Sequence, residues 1–114
     1  MHNAVKEKSF RFAVRIVKLC NFLRNTKHEY VISKQLLRSG TSIGANTAEA
    51  QQAQSRADFV SKLNIALKEA TETDYWLRLL YETEYLTKQQ FVSIMADCDE
   101  LEKLLASIVK TTKE

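Results

Sequence analysis

The sequence contains no proline and only two glycines, Gly40 and Gly44, in 114 residues. A sheet protein reverses its chain every few residues and draws its turns largely from those two residue types. This chain cannot supply them, so long helices joined by a few short reversals are the architecture open to it. Its apolar share of 45% and charged share of 27% suit one small globular core. A single domain over residues 1–114 is expected. No run approaches the ~20 apolar residues that span a membrane. Met1-His2-Asn3-Ala4 carries no signal-peptide pattern, so a cytoplasmic location without membrane contact is expected.

Four amphipathic segments are predicted, at about residues 4–24, 28–53, 56–83 and 88–111. In the first, Val5, Ser9, Phe12, Ile16, Leu19 and Leu23 alternate spacings of three and four, the seam of a bundle. Ala13, Val17 and Cys20 form a second row, and a face that wide packs on more than one neighbour. The second helix is predicted to open near Thr26, where Thr26-x-x-Glu29 reads as a capping box, and to bury Ile32, Leu36, Ile43 and Ala50. Its two glycines stand four apart on one face, continued by Ala48. Either Ser39-Gly40-Thr41-Ser42 breaks this helix, or the helix is continuous and the small residues admit a close partner. The continuous helix is preferred, because close packing can offset the ~1 kcal/mol that each interior glycine costs.

The third helix opens at Ser55 with Asp58 three residues later, and its seam is Phe59, Leu63, Ala66, Ala70, Leu77 and Leu80. Asp74 falls beside that seam, so it needs a partner or an edge position. The fourth opens at Thr87-x-x-Gln90 and carries Phe91, Ile94, Met95, Cys98, Leu101, Leu105 and Ile108. Short connections between long helices force antiparallel neighbours. The expected fold is therefore all-α, an up-down-up-down antiparallel four-helix bundle. Cys20 and Cys98 fall among core positions and read as buried, reduced thiols.

The charge is uneven. Residues 1–38 carry nine Lys/Arg and two acids, whereas residues 39–114 carry eight and twelve. Such a field attracts a polyanion or an acidic neighbour. Lys8, Arg11, Arg15 and Lys18 line one side of the first helix, with Phe22 continuing the row, and Lys34 and Arg38 extend it on the second. Phosphates need charges in a row, and an aromatic can stack on an unpaired base. The competing reading is a solvated face, or one meeting acids of a neighbouring subunit. Tyr75, Trp76, Leu79 and Ile65 lie off the seam of the third helix, an arrangement that points to a partner or, alternatively, to local packing against the fourth helix.

The run from Gln35 to Ala50 (Gln-Leu-Leu-Arg-Ser-Gly-Thr-Ser-Ile-Gly-Ala-Asn-Thr-Ala-Glu-Ala) carries a resemblance. So do Ser55, Asp58-Phe59, Lys62-Leu63, Ala66 to Ala70, Glu72-Thr73 and Tyr75-Trp76-Leu77. Together they resemble the bacterial four helix bundle protein family, also called the 23S ribosomal RNA intervening-sequence protein family. The resemblance implies a left-handed bundle that assembles into ring-like homopentamers. It also implies a connection to nucleic acid, since a related accessory protein of diversity-generating retroelements binds nucleic acid and a reverse transcriptase. Many members carry Pro where this chain has Gly44, and Glu-Gly where it has Glu49-Ala50. A straighter second helix is expected here. The family's polar motif maps onto Arg38, Asn46, Glu49, Lys62, Glu69 and Glu72, which read either as ion pairs between helices or subunits, or as a polar pocket for a ligand.

No constellation for catalysis is apparent. A di-metal carboxylate site needs Glu-x-x-His pairs, and Glu69-x-x-Glu72 has no histidine to complete one. His2 is terminal and His28 lies near a helix start. A Cys–His pair would need Cys20 or Cys98 to meet His28, whereas helical phase places both cysteines in the core, and no phosphate-binding glycine loop occurs. The expectation is a non-enzymatic homo-oligomer with no cofactor or metal. It binds RNA or DNA, or scaffolds a nucleic-acid-processing protein, through the first helix. The alternative is a purely structural protein–protein module.

Overall fold

The structure is a computed structural model and describes residues 3–113. Four helices follow in order: α1 Asn3–Asn25, α2 Ile32–Ala50, α3 Arg56–Glu82 and α4 Lys88–Lys113. No strand occurs among the described residues. Among the described residues, the backbones approach closely between α1–α2, α2–α3, α3–α4 and α4–α1. The result is a rod of 44 × 20 × 18 Å.

Cross-helix contacts set the directions. Going up α3, Arg56, Ala70 and Tyr81 meet Thr112, Cys98 and Phe91 going down α4. Lys8 and Arg15 on α1 meet Glu100 and Asp97 on α4. Arg38 and Glu49 on α2 meet Glu69 and Lys62 on α3. Neighbours are thus antiparallel, as the short connections require.

The predicted seams form the core. Val5, Ser9, Phe12, Ile16, Cys20 and Leu23 of α1 are buried, as are Leu36, Ile43 and Ala50 of α2. So are Leu63, Ala66, Ala70, Leu77 and Leu80 of α3, with Ile94, Met95, Cys98, Leu101 and Leu105 of α4. Leu19, Phe59, Phe91 and Ile108 pack at the margin. The last turn of α4 buries Val109, one residue beyond the expected Ile108. The wide face expected of α1 is only half used: Cys20 is buried, while Val17 stays 41% exposed.

Helix α2 is unbroken through both glycines, and neither has a positive φ. Their purpose is packing. A β-carbon on Gly40 would lie 2.8 Å from both γ-carbons of Ile16, and one on Gly44 would lie 3.2 Å from the Ser9 carbonyl oxygen. The missing side chains let α1 approach closely. Ala48, on the same face, remains exposed.

The predicted start of α2 is corrected. Thr26 belongs to the end of α1, its amide bonded to the Phe22 carbonyl. Glu29 alone performs the capping. Its carboxylate accepts from the amides of Val31 (3.2 Å), Ile32 (2.9 Å) and Ser33 (2.7 Å), three donors that the first turn leaves free. At α3, the Ser55 hydroxyl accepts from the Asp58 amide at 3.0 Å, while the Asp58 carboxylate takes the Gln54 amide. At α4 the Thr87–Gln90 box is fully reciprocal. Where a glycine commonly ends a helix, His28 (φ 55°) and Glu84 (φ 68°) take the left-handed conformation.

Candidate nucleic-acid interface

The basic residues of α1 are largely engaged in ion pairs. Lys8 Nζ sits 3.0 Å from a Glu100 carboxylate oxygen. Arg11 pairs with Glu7 one turn before it. Arg15 lies 2.6 Å from the Asp97 carboxylate and also donates to the carbonyl and hydroxyl of Ser93. Only Lys18 lacks an acid among the described residues. Neither competing reading drawn from the sequence anticipated this, because the acids belong to the same chain: Glu7 to α1 itself, Glu100 and Asp97 to α4. The α1–α4 contact is the sparsest of the four, and these bridges span it.

Lys34 and Arg38 do not extend the row. Arg38 turns to α3, where it pairs with Glu69 at 3.2 Å and with Glu72, while Lys8 and Arg15 face α4. Lys34 is exposed without an acid partner among the described residues. The six expected contacts are therefore spread over two sides of the rod.

The polar motif separates into three parts. Arg38, Glu69 and Glu72 form one network, extended by the Trp76 indole N–H, which donates to Glu72 at 2.9 Å. That hydrogen bond, more than the Arg38 charge, holds the Glu72 carboxyl below its ordinary range despite the opposing effect of desolvation. Lys62 and Glu49 pair separately at 3.0 Å. Asn46 donates back to the Ser42 carbonyl of its own helix at 2.9 Å. Both ion-pair groups tie α2 to α3 within one chain.

Asp74 finds its partner in Arg78, 2.5 Å away. It also belongs to a group that sequence reasoning missed: Asp74, Asp99 and Glu102 bring carboxylate oxygens within 4.8 Å of one another. The search for Glu-x-x-His could not find it, although the misplaced Asp74 opposite Asp99-x-x-Glu102 was its one visible signal. Burial, and then the facing Asp74 carboxylate, push the Glu102 carboxyl up to about 7. Close like charges disfavour joint ionisation.

Both cysteines are free and buried. The Cys20 thiol donates to the Ser33 carbonyl at 3.3 Å, and burial pushes its pKa up to about 11. Cys98 donates to the Ala70 carbonyl and is pushed up further, by burial and by Glu102. A thiol held protonated is a poor nucleophile. His28 lies in the α1–α2 connection with its ring against the Tyr30 hydroxyl, and His2 lies outside the described residues. Among the described residues, no helix is long and apolar enough to cross a membrane.

Comparison with known proteins gives the chain a family. The sequence profile of the 23S rRNA-intervening sequence protein matches residues 1–107. The chain belongs to that family. One similar solved structure is a Bacteroides thetaiotaomicron protein of unknown function from the S23 ribosomal protein family, determined at 1.70 Å. It shares 66% identity and superimposes with a TM-score of 0.92, over 93% of this chain and 98% of that one. No curated protein matches. Family membership thus accounts for the bundle and the resemblance of α2 and α3, and leaves activity to be argued from the surface.

Proposed function

We propose that this chain is a non-catalytic module that works as a homo-oligomer. The observation that carries this reading is the uncovered apolar row on α1. Phe10, Val14 and Val17 are 69%, 39% and 41% exposed, and Phe10 borders a shallow trough floored by Gly44 and Ala48 of α2. A contiguous apolar strip of this kind on a soluble rod marks a protein contact. Tyr75 on α3, 59% exposed, lies on the diagonally opposite helix. An apolar strip on one corner and an exposed aromatic on the opposite one suit head-to-tail contacts, which form a ring where the rotation closes. The pentamer implied by family resemblance is one such ring.

The mass in solution tests this. Wild-type protein is expected to sediment as an oligomer, and the double variant Phe10→Ser/Val17→Ser as a helical monomer. A wild-type monomer at micromolar concentration removes the reading.

A second reading, nucleic-acid binding, is favoured by the character of the α1 pairs. Their side chains are 41–73% exposed, and exposed pairs contribute only ~0.2–1 kcal/mol each. Phosphates could displace Glu100 and Asp97 at small cost, with Lys18 unpaired among the described residues of the same row. The intervening-sequence description of the family and the ribosomal family name of the Bacteroides relative lend support.

A further inference from the structure

Outside α1, one surface gathers cations with no acid among the described residues lining it. Where the start of α3 passes the end of α4, Arg56, Lys68 and Lys113 border an open groove of ≈ 740 Å³. Val60 and Ile65 supply apolar walls, and Asn64 a neutral amide. No carboxylate of the described residues lines it. The three cations form no ion pair among the described residues, in contrast with Lys8, Arg11, Arg15, Arg38, Lys62 and Arg78, each of which does. Asp58, the acid closest in sequence to Arg56, is occupied with the amide of Gln54.

The groove is also organised. Arg56 donates through Nε to the Thr112 carbonyl at 2.7 Å, which fixes the guanidinium beside the end of α4 and leaves its two terminal nitrogens free. That is the fork suited to a phosphate. Lys68 stands twelve residues further on, about 18 Å along the helix axis. Charges spread over that length with neutral groups between them match a polymer of regularly spaced charges better than one compact anion. Ile65, 41% exposed, offers a base an apolar surface, and Asn64 can donate and accept at a base edge or a ribose hydroxyl.

We propose that the α3–α4 groove bounded by Arg56, Lys68 and Lys113 is a binding site for the phosphate backbone of single-stranded RNA. The proposal rests on the nucleic-acid reading above and moves its centre from α1 to the α3–α4 side of the bundle. Binding there displaces no internal ion pair. The net charge of +3 and the basic first third add a long-range field that draws a polyanion toward the molecule.

The test uses the full chain in its native assembly, with a labelled short oligouridylate as probe and a polyglutamate peptide of equal charge as competitor. Lys68→Gln/Lys113→Gln keeps the Arg56–Thr112 bond, and Arg56→Gln is measured separately, with helicity checked for each. The double variant is expected to lose about ten-fold in affinity at low salt, and its log–log salt slope to shrink by about 0.7 per lost phosphate contact. Lys8→Gln/Arg11→Gln/Arg15→Gln is expected to lose much less. If no oligonucleotide binds at low salt, both this proposal and the nucleic-acid reading fall. If only the α1 variant loses binding, the groove is wrong and the α1 reading stands. If polyglutamate binds as tightly with the same residue dependence, the site is for acidic protein and not for RNA.

Discussion

Gly40 and Glu84 make opposite demands on a missing side chain. At Gly40 the backbone is helical, but any β-carbon would meet Ile16 at 2.8 Å, and a β-branched isoleucine cannot swing aside. At Glu84 there is room, but φ is 68°, a conformation that costs most L-residues ~1–2 kcal/mol. Gly40→Ala is therefore expected to destabilise the protein by about 1–2 kcal/mol, overpacking outweighing the gain in helix propensity. Glu84→Gly is expected to stabilise it by roughly 0.5–1 kcal/mol, less than the full strain because glycine is looser when unfolded. Urea midpoints measured side by side check both signs. The sequence made the packing role of Gly40 legible through its spacing from Gly44. It could not reveal Glu84, because nothing about a glutamate announces a left-handed turn.

Between elements, the α3–α4 seam holds the carboxylates Asp74, Asp99 and Glu102, with Arg78 on Asp74 and the Cys98 thiol against Glu102. Glu102 is raised from an ordinary 4.5 to about 7. Through that window the folded state holds more protons than the unfolded one, so stability falls as pH rises and the penalty is complete above about 7. Glu102→Gln mimics the protonated acid. Its melting temperature is expected to exceed that of wild type at about pH 8 and to converge with it at about pH 4. Equal pH dependence in the two proteins would show that the trio does not govern it. The helices themselves were readable, since each carries one apolar period long enough to count. The entry to α2 was misread for a physical reason: Thr26 and Glu29 have capping-box spacing, yet Thr26 is still bonded to α1, and Glu29 reaches forward to cap from a turn ahead.

At the scale of the molecule, a row of like charges on one helix says nothing about what stands opposite. Lys8 and Arg15 read as a solvent-facing strip until α4 is placed beside α1, and then Glu100 and Asp97 claim them. Arg38 reads as their continuation until α2 is seen to turn it toward Glu69 and Glu72. The Arg56–Lys68–Lys113 groove was invisible for the converse reason, as its members are distant in sequence and meet only where two helix ends pass. The chain has a single tryptophan, and its indole is fastened to Glu72 beside the Arg38 network. The molecule thus carries a built-in optical reporter on the α2–α3 seam and none on α1, so emission alone is blind to the fraying of the first helix, while ellipticity registers it.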